Sequence, residues 1–110
     1  MTNQYQSAQL QELDALHHLH PFTAHSSLRA AGARVIVRGD GPYIWDSEGK
    51  RILDGMAGLW TCDVGYGRKA LAQAAYDQMV ELPFYNTFFK TTHPPVVALS
   101  RKLAEIAPDN

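Results

Sequence analysis

A chain of 110 residues that is 45% hydrophobic and 19% charged has room for one small domain with a modest core, and this balance excludes disorder along the whole chain. A formal charge of -1, with Lys and Arg scattered, excludes the basic footprint that a phosphate backbone requires, so no nucleic-acid partner is expected. Cys62 is the single cysteine, the polar start MTNQYQSAQ lacks a secretory-signal pattern, and no apolar run approaches the roughly 20 residues of a spanning helix; a soluble, cytoplasmic chain with no membrane partner is expected.

From Ser7 to about His18, Leu10, Leu13 and Leu16 or His17 recur at helical spacing, and Pro21 closes that helix. Three β-branched and aromatic runs follow, Ala33 to Arg38, Tyr43 to Asp46 and Arg51 to Asp54. The connectors GDGP and SEGK separate them, and their glycines and proline suit tight turns. The expected result is a three-stranded antiparallel meander, which is marginal in water without something to cover it. VGYGR reads as a chain reversal into a second helix with Leu71, Ala74, Ala75, Met79 and Leu82 on one face, stopped by Pro83. A third helix starts at THPP, with Thr92 as N-cap and the prolines in the first turn. Its stripe is Val96, Leu99, Leu103 and Ile106, and Pro108 ends it. The fold class is thus an α+β segment of three short helices and one meander, carrying more apolar face than it can cover.

Few residues announce chemistry. His17, His18 and His20 invite a metal reading, but no acidic or thiol ligand stands at a matching spacing, so surface or interface histidines are the favoured reading and no metal is expected. GDG and GYG lack the strand-to-helix glycine spacing of a phosphate loop. Cys62 reads as an inert thiol. Lys50, Lys69, Lys90 and Lys102 lie in turns or on polar faces, and none looks like a desolvated Schiff-base lysine. The aromatics are more informative. Trp60 ends the glycine-rich DGMAGLW, and Phe84, Tyr85, Phe88 and Phe89 crowd a proline-flanked loop between helices. That placement suits the wall of a small-molecule pocket or an interface better than a core.

HHLHPFT, YIWDSEGKRILDGMAGLW, VGYGR and ELPFYNTFFKTTHPP together resemble the N-terminal portion of class III, fold-type I pyridoxal-phosphate aminotransferases, with ω-transaminases of the amine:pyruvate and β-alanine:pyruvate type as the nearest match. The resemblance runs from about His17 to Pro108 and implies that residues 1–110 are the opening segment of a longer α/β subunit. It implies an amine or ω-amino acid as donor, pyruvate or another keto acid as acceptor, pyridoxal 5'-phosphate as cofactor, and a homodimer or homotetramer with the active site at the subunit interface. On matching positions, Phe22, Leu59 and Trp60 resemble residues lining the substrate pocket, and Phe88 and Phe89 resemble aromatics given to the partner's site. Where the family often reads LWCVNVGYGR, this chain has Thr61 and then Cys62, a difference expected to act on amine preference. The family's phosphate-binding Gly-Ser motif, pyridinium-pairing Asp, Schiff-base Lys and carboxylate-binding Arg would all follow Asn110. No catalytic or cofactor-binding residue is therefore expected within the chain, and it should be inactive alone. The alternative is a non-catalytic fragment or remnant that docks on an intact transaminase subunit.

Overall fold

A computed structural model describes residues 6–108. The first five residues, and with them most of the polar start, lie outside the described residues, as do the last two. The chain divides into two compact units, Met1–Arg68 and Lys69–Asn110.

In the first unit, helices α1 (Ser7–His17) and α2 (His25–Ala31) precede strands β1 (Ile36–Asp40), β2 (Tyr43–Asp46) and β3 (Arg51–Leu53), and the turn α3 (Ala57–Trp60) follows. The strands form one antiparallel sheet in the order β1-β2-β3, the expected meander. A bulge between Ile36 and Arg38 shifts the register, and β1 runs through Asp40, so the strand takes in two residues expected in the turn. One face of the sheet is closed by its own side chains: the Arg38 guanidinium lies 4.2 Å from the centroid of Trp45 and that of Arg51 4.6 Å from Tyr43. On the other, Ile44 pairs with Ile52, and both are only half-buried.

What is buried is polar. Asp46 and Ser47, 6% and 3% exposed, are the buried residues among those described. Asp46 Oδ1 accepts the amide hydrogens of Glu48 and Lys50 at 3.1 and 2.9 Å, folding the β2–β3 turn around its carboxylate. Ser7 Oγ donates to Ser47 Oγ at 2.7 Å, and Gln11 Nε2 donates to the Ala33 carbonyl at 2.8 Å; these bonds tie α1 to the sheet side of its unit. Helix α2 was not legible as a helix because HSSLRAA has one large apolar residue, Leu28, and no capping side chain.

The second unit holds α4 (Lys69–Glu81) and α5 (Pro94–Ile106), both expected from their stripes. Gln78 Nε2 donates to the Leu82 carbonyl at 2.9 Å and closes α4. The N-cap of α5 is His93 rather than Thr92: its extended backbone (φ -142°) leads directly into Pro94 and Pro95, and no side-chain bond caps the helix. Neither helix buries a residue.

No apolar side chain is buried among the described residues. Each stripe side chain would contribute about 1.5–3 kcal/mol if buried. The unburied stripes thus withhold an amount comparable with a whole domain's stability, roughly 5–15 kcal/mol. The 110-residue chain on its own is expected to bind the dye ANS and to melt without a sharp calorimetric peak. One cooperative transition with matching calorimetric and van't Hoff enthalpies would show instead that the segment is self-sufficient.

Candidate functional site

Strand β3 hands the chain to Asp54, and the next residues run Gly55, Met56, Ala57, Gly58, Leu59, Trp60. Ala57, Gly58, Leu59 and Trp60 have φ of 47°, 60°, 62° and 63°, so α3 is a single left-handed turn. A glycine accepts this conformation, but each of the other three residues costs roughly 1–2 kcal/mol there. Hydrogen bonds oppose the cost. The Ala57 carbonyl accepts the amide hydrogens of Thr61 and Cys62 at 3.0 and 2.8 Å, and the Thr61 hydroxyl donates to the Gly58 carbonyl at 2.7 Å. The Thr61 hydroxyl thus closes its own turn. Asp54 accepts the Met56 N–H on Oδ1 at 3.0 Å and the Gly58 N–H on Oδ2 at 3.2 Å.

Tyr66 completes the arrangement by donating its hydroxyl to Asp54 Oδ2 at 2.6 Å. Its backbone exchanges two hydrogen bonds with Gly41, at 2.9 and 3.1 Å, which docks VGYGR onto the β1–β2 turn. Its ring lies over Gly39, where an added Cβ would stand 2.5 Å from the ring carbon Cγ. Glycine at position 39 is therefore a packing requirement of the ring. The bond to Tyr66 holds the Asp54 carboxyl below its ordinary range, and the same bond pushes the Tyr66 phenol far up. The depressed Asp54 contributes above the ordinary carboxyl pKa and is lost as pH falls through the lowered one. The raised Tyr66 contributes below the ordinary phenol pKa, about 10, and is lost as pH rises through the raised one. The contact persists across neutral pH.

The turn points its bulky residues outward: Leu59 is 63% exposed and Trp60 81%. Phe22, also left-handed with φ 50°, is fully exposed after Pro21, and no ring contact joins it to Trp60 among the described residues. In the second unit, Asn86 Oδ1 accepts the Phe88 N–H at 3.0 Å, and the Thr91 hydroxyl donates to the Phe88 carbonyl at 2.6 Å. These bonds bend the loop so that Phe88 and Phe89 meet edge to face, with centroids 6.3 Å apart. Phe89 is left-handed, with φ 55°, and 93% exposed. Of the six non-glycine residues with positive φ among those described, four are Phe22, Leu59, Trp60 and Phe89. Bulky side chains in this region are outliers that persist where surrounding structure enforces them, commonly at binding sites.

The histidines behave differently from expectation. Asp14, one turn before His18, draws them together: His18 Nδ1 donates to Asp14 Oδ1 at 3.0 Å and His20 Nε2 to Oδ2 at 2.8 Å. The bond from His20 lowers the Asp14 pKa. An acidic partner thus does lie near, at a helical spacing that an inspection of the HHLH run alone passes over. One ligand atom from each of Asp14, His18 and His20 lies within 4.8 Å of the other two, a grouping of the kind that can hold a metal ion. A cavity of about 850 Å³ lies along α1 and α2, is lined by Gln11, Ala15, Leu28 and their neighbours, and includes none of the aromatic candidates.

The described residues do not fit pyridoxal phosphate. All four lysines are exposed, so none has the desolvated setting that a Schiff-base amine needs.

A family model, aminotransferase class III, matches residues 25–110. The chain is 55% identical over 112 residues to the putrescine–pyruvate aminotransferase of Pseudomonas aeruginosa, covering 99% of this chain and 25% of that one. Among solved structures it is similar to a thermostable (S)-enantioselective omega-transaminase from Thermomicrobium roseum, with TM-score 0.92, 48% identity, and 96% of this chain against 24% of that one. It is also similar to the omega transaminase of Pseudomonas jessenii in complex with PMP, with TM-score 0.86, 39% identity, and 90% against 22%. A further neighbour, with TM-score 0.86, 37% identity and the same coverages, is a thermostable omega transaminase engineered for asymmetric synthesis of enantiopure bulky amines by replacing a tryptophan, a phenylalanine and an arginine. The chain belongs to the class III aminotransferases, a pyridoxal-phosphate-dependent family, and its solved neighbours are fold-type I transaminases. It spans about a quarter of the length of these relatives. No helix of the described residues is long and apolar enough to cross a membrane.

Gly39→Ala, in a protein where this segment is folded, is expected to lower stability by about 1–3 kcal/mol through the collision with Tyr66. Gly55→Ala, which meets nothing within 4 Å, should stay within about 0.5 kcal/mol. Thermal midpoints of the two variants check the pair, and equal midpoints would remove the packing role from Gly39.

Proposed function

We propose that the 110 residues are the N-terminal segment of a longer cytoplasmic subunit, a homodimer or homotetramer when complete. That subunit transfers an amino group from an amine or ω-amino acid to pyruvate or another keto acid, with pyridoxal phosphate supplying the electron sink. Membership in the class III family supports the reaction type, and the name of the Pseudomonas aeruginosa relative supports an amine donor and pyruvate as acceptor. In this reading the cofactor is held by residues outside this chain, and the segment alone has no transaminase activity. The four exposed lysines support both statements.

The chain's own contribution is the shape of the donor pocket. Phe22, Leu59 and Trp60 line it, and Phe88 and Phe89 are contributed across the subunit interface. The carrying observation is that four of these five bulky apolar residues sit in left-handed backbone and face outward. A strained backbone that presents apolar surface instead of burying it suits a wall for an apolar substrate. The engineered neighbour adds support: its replaced tryptophan and phenylalanine stand 28 positions apart, the separation of Trp60 and Phe88.

The pocket reading is tested by Trp60→Ala in the complete subunit. Losing the indole contact is expected to change the ratio of kcat/KM between a bulky aryl amine and a short aliphatic amine by roughly tenfold. Affinity for pyridoxal phosphate should move less than about twofold on the same scale. Parallel loss of cofactor and amine binding would remove Trp60 from the donor pocket.

A further inference from the structure

The backbone under Leu59 and Trp60 is held by side chains that reach no substrate in the reading above. Asp54 uses both carboxylate oxygens on the left-handed turn, taking the amide hydrogens of Met56 and Gly58. Its Oδ2 also takes the Tyr66 hydroxyl at 2.6 Å, the shortest of these three bonds. Tyr66 in turn is fixed to the sheet by its paired backbone bonds to Gly41 and by its ring over Gly39. A continuous path therefore runs from the β1–β2 turn through one phenol and one carboxylate to the two amides that define the turn.

We propose that Asp54 and Tyr66 form a brace that sets amine specificity, acting as positioning residues that hold the left-handed turn and so the placement of Leu59 and Trp60. The specificity half rests on the donor-pocket reading; the brace itself rests on geometry alone. A left-handed turn with three non-glycine residues relaxes toward ordinary backbone once its hydrogen bonds go, and relaxation would swing both side chains away from their outward setting. A bond between a carboxylate and a short-range hydroxyl donor is of the strong, charge-assisted kind, so deleting the hydroxyl removes a large share of the restraint. Cys62 closes the same turn with its amide, and its side chain is a second hydrogen-bond partner of Tyr66, so the thiol stands beside the brace.

The test uses the complete subunit with Tyr66→Phe, Asp54→Ala and the double variant. Tyr66→Phe keeps the ring over Gly39 and deletes only the hydroxyl. Hydrogen exchange measured by mass spectrometry on the peptide covering residues 55–62 should quicken roughly tenfold in Tyr66→Phe. The bulky-to-short amine ratio of kcat/KM should fall by a similar factor, with the change in KM exceeding that in kcat. The double variant should be no worse than Asp54→Ala, since both changes break one brace. Unchanged exchange in Tyr66→Phe, or additive single effects, would overturn the brace. Faster exchange with an unchanged amine ratio would overturn its role in specificity. A wild-type subunit with no amine-to-keto-acid transfer would defeat the functional reading and the specificity half with it, while the exchange result still decides the brace.

Discussion

A helix of 13 residues such as α5 holds its shape in water chiefly by burying its apolar stripe, yet none of Val96, Leu99, Leu103 and Ile106 is buried. The same holds for Leu71 and Met79 on α4 and for Leu13 and Leu16 on α1. Apolar cover has to come from elsewhere for these helices to persist. The relatives that the chain matches are about four times as long, and in the proposed reading the additional chain supplies that cover.

Where order does not come from a core, it comes from polar contacts at short range. Asp46 folds the β2–β3 turn around its carboxylate, Asn86 and Thr91 bend the aromatic loop, and Asp54 with Tyr66 fixes the left-handed turn. The last two of these devices sit beside bulky side chains that face outward, Phe88 and Phe89 in one case and Leu59 and Trp60 in the other. The pairing has a physical reason. A residue that must present its apolar surface to a ligand or another chain cannot draw its position from burial, so hydrogen bonds from the backbone beneath it have to supply that position.

Much of this was legible in the residues. Stripes at three and four gave away α1, α4 and α5, and β-branched and aromatic runs between glycine-bearing turns gave away the sheet. The aromatic candidates were legible as residues without a core to join. Other features were not. Helix α2 has no apolar period, and the N-cap of α5 is chosen by the extended approach to Pro94, which no side-chain preference reveals. Asp14 and His18 stand at the helical i,i+4 spacing and could have been found by it, whereas His20 joins them only through the loop that follows α1. Tyr66 reaching Asp54 twelve residues away was likewise invisible, because VGYGR advertises its glycines and hides the fact that the tyrosine between them is the contact.

The most direct measurement is the intact mass of the native gene product in its cell. A polypeptide about four times the 12.2 kDa of this chain is expected, since the chain spans 25% of its Pseudomonas aeruginosa relative. A stable product of 12.2 kDa would contradict membership in a longer subunit and would leave the uncovered helices to a separate partner.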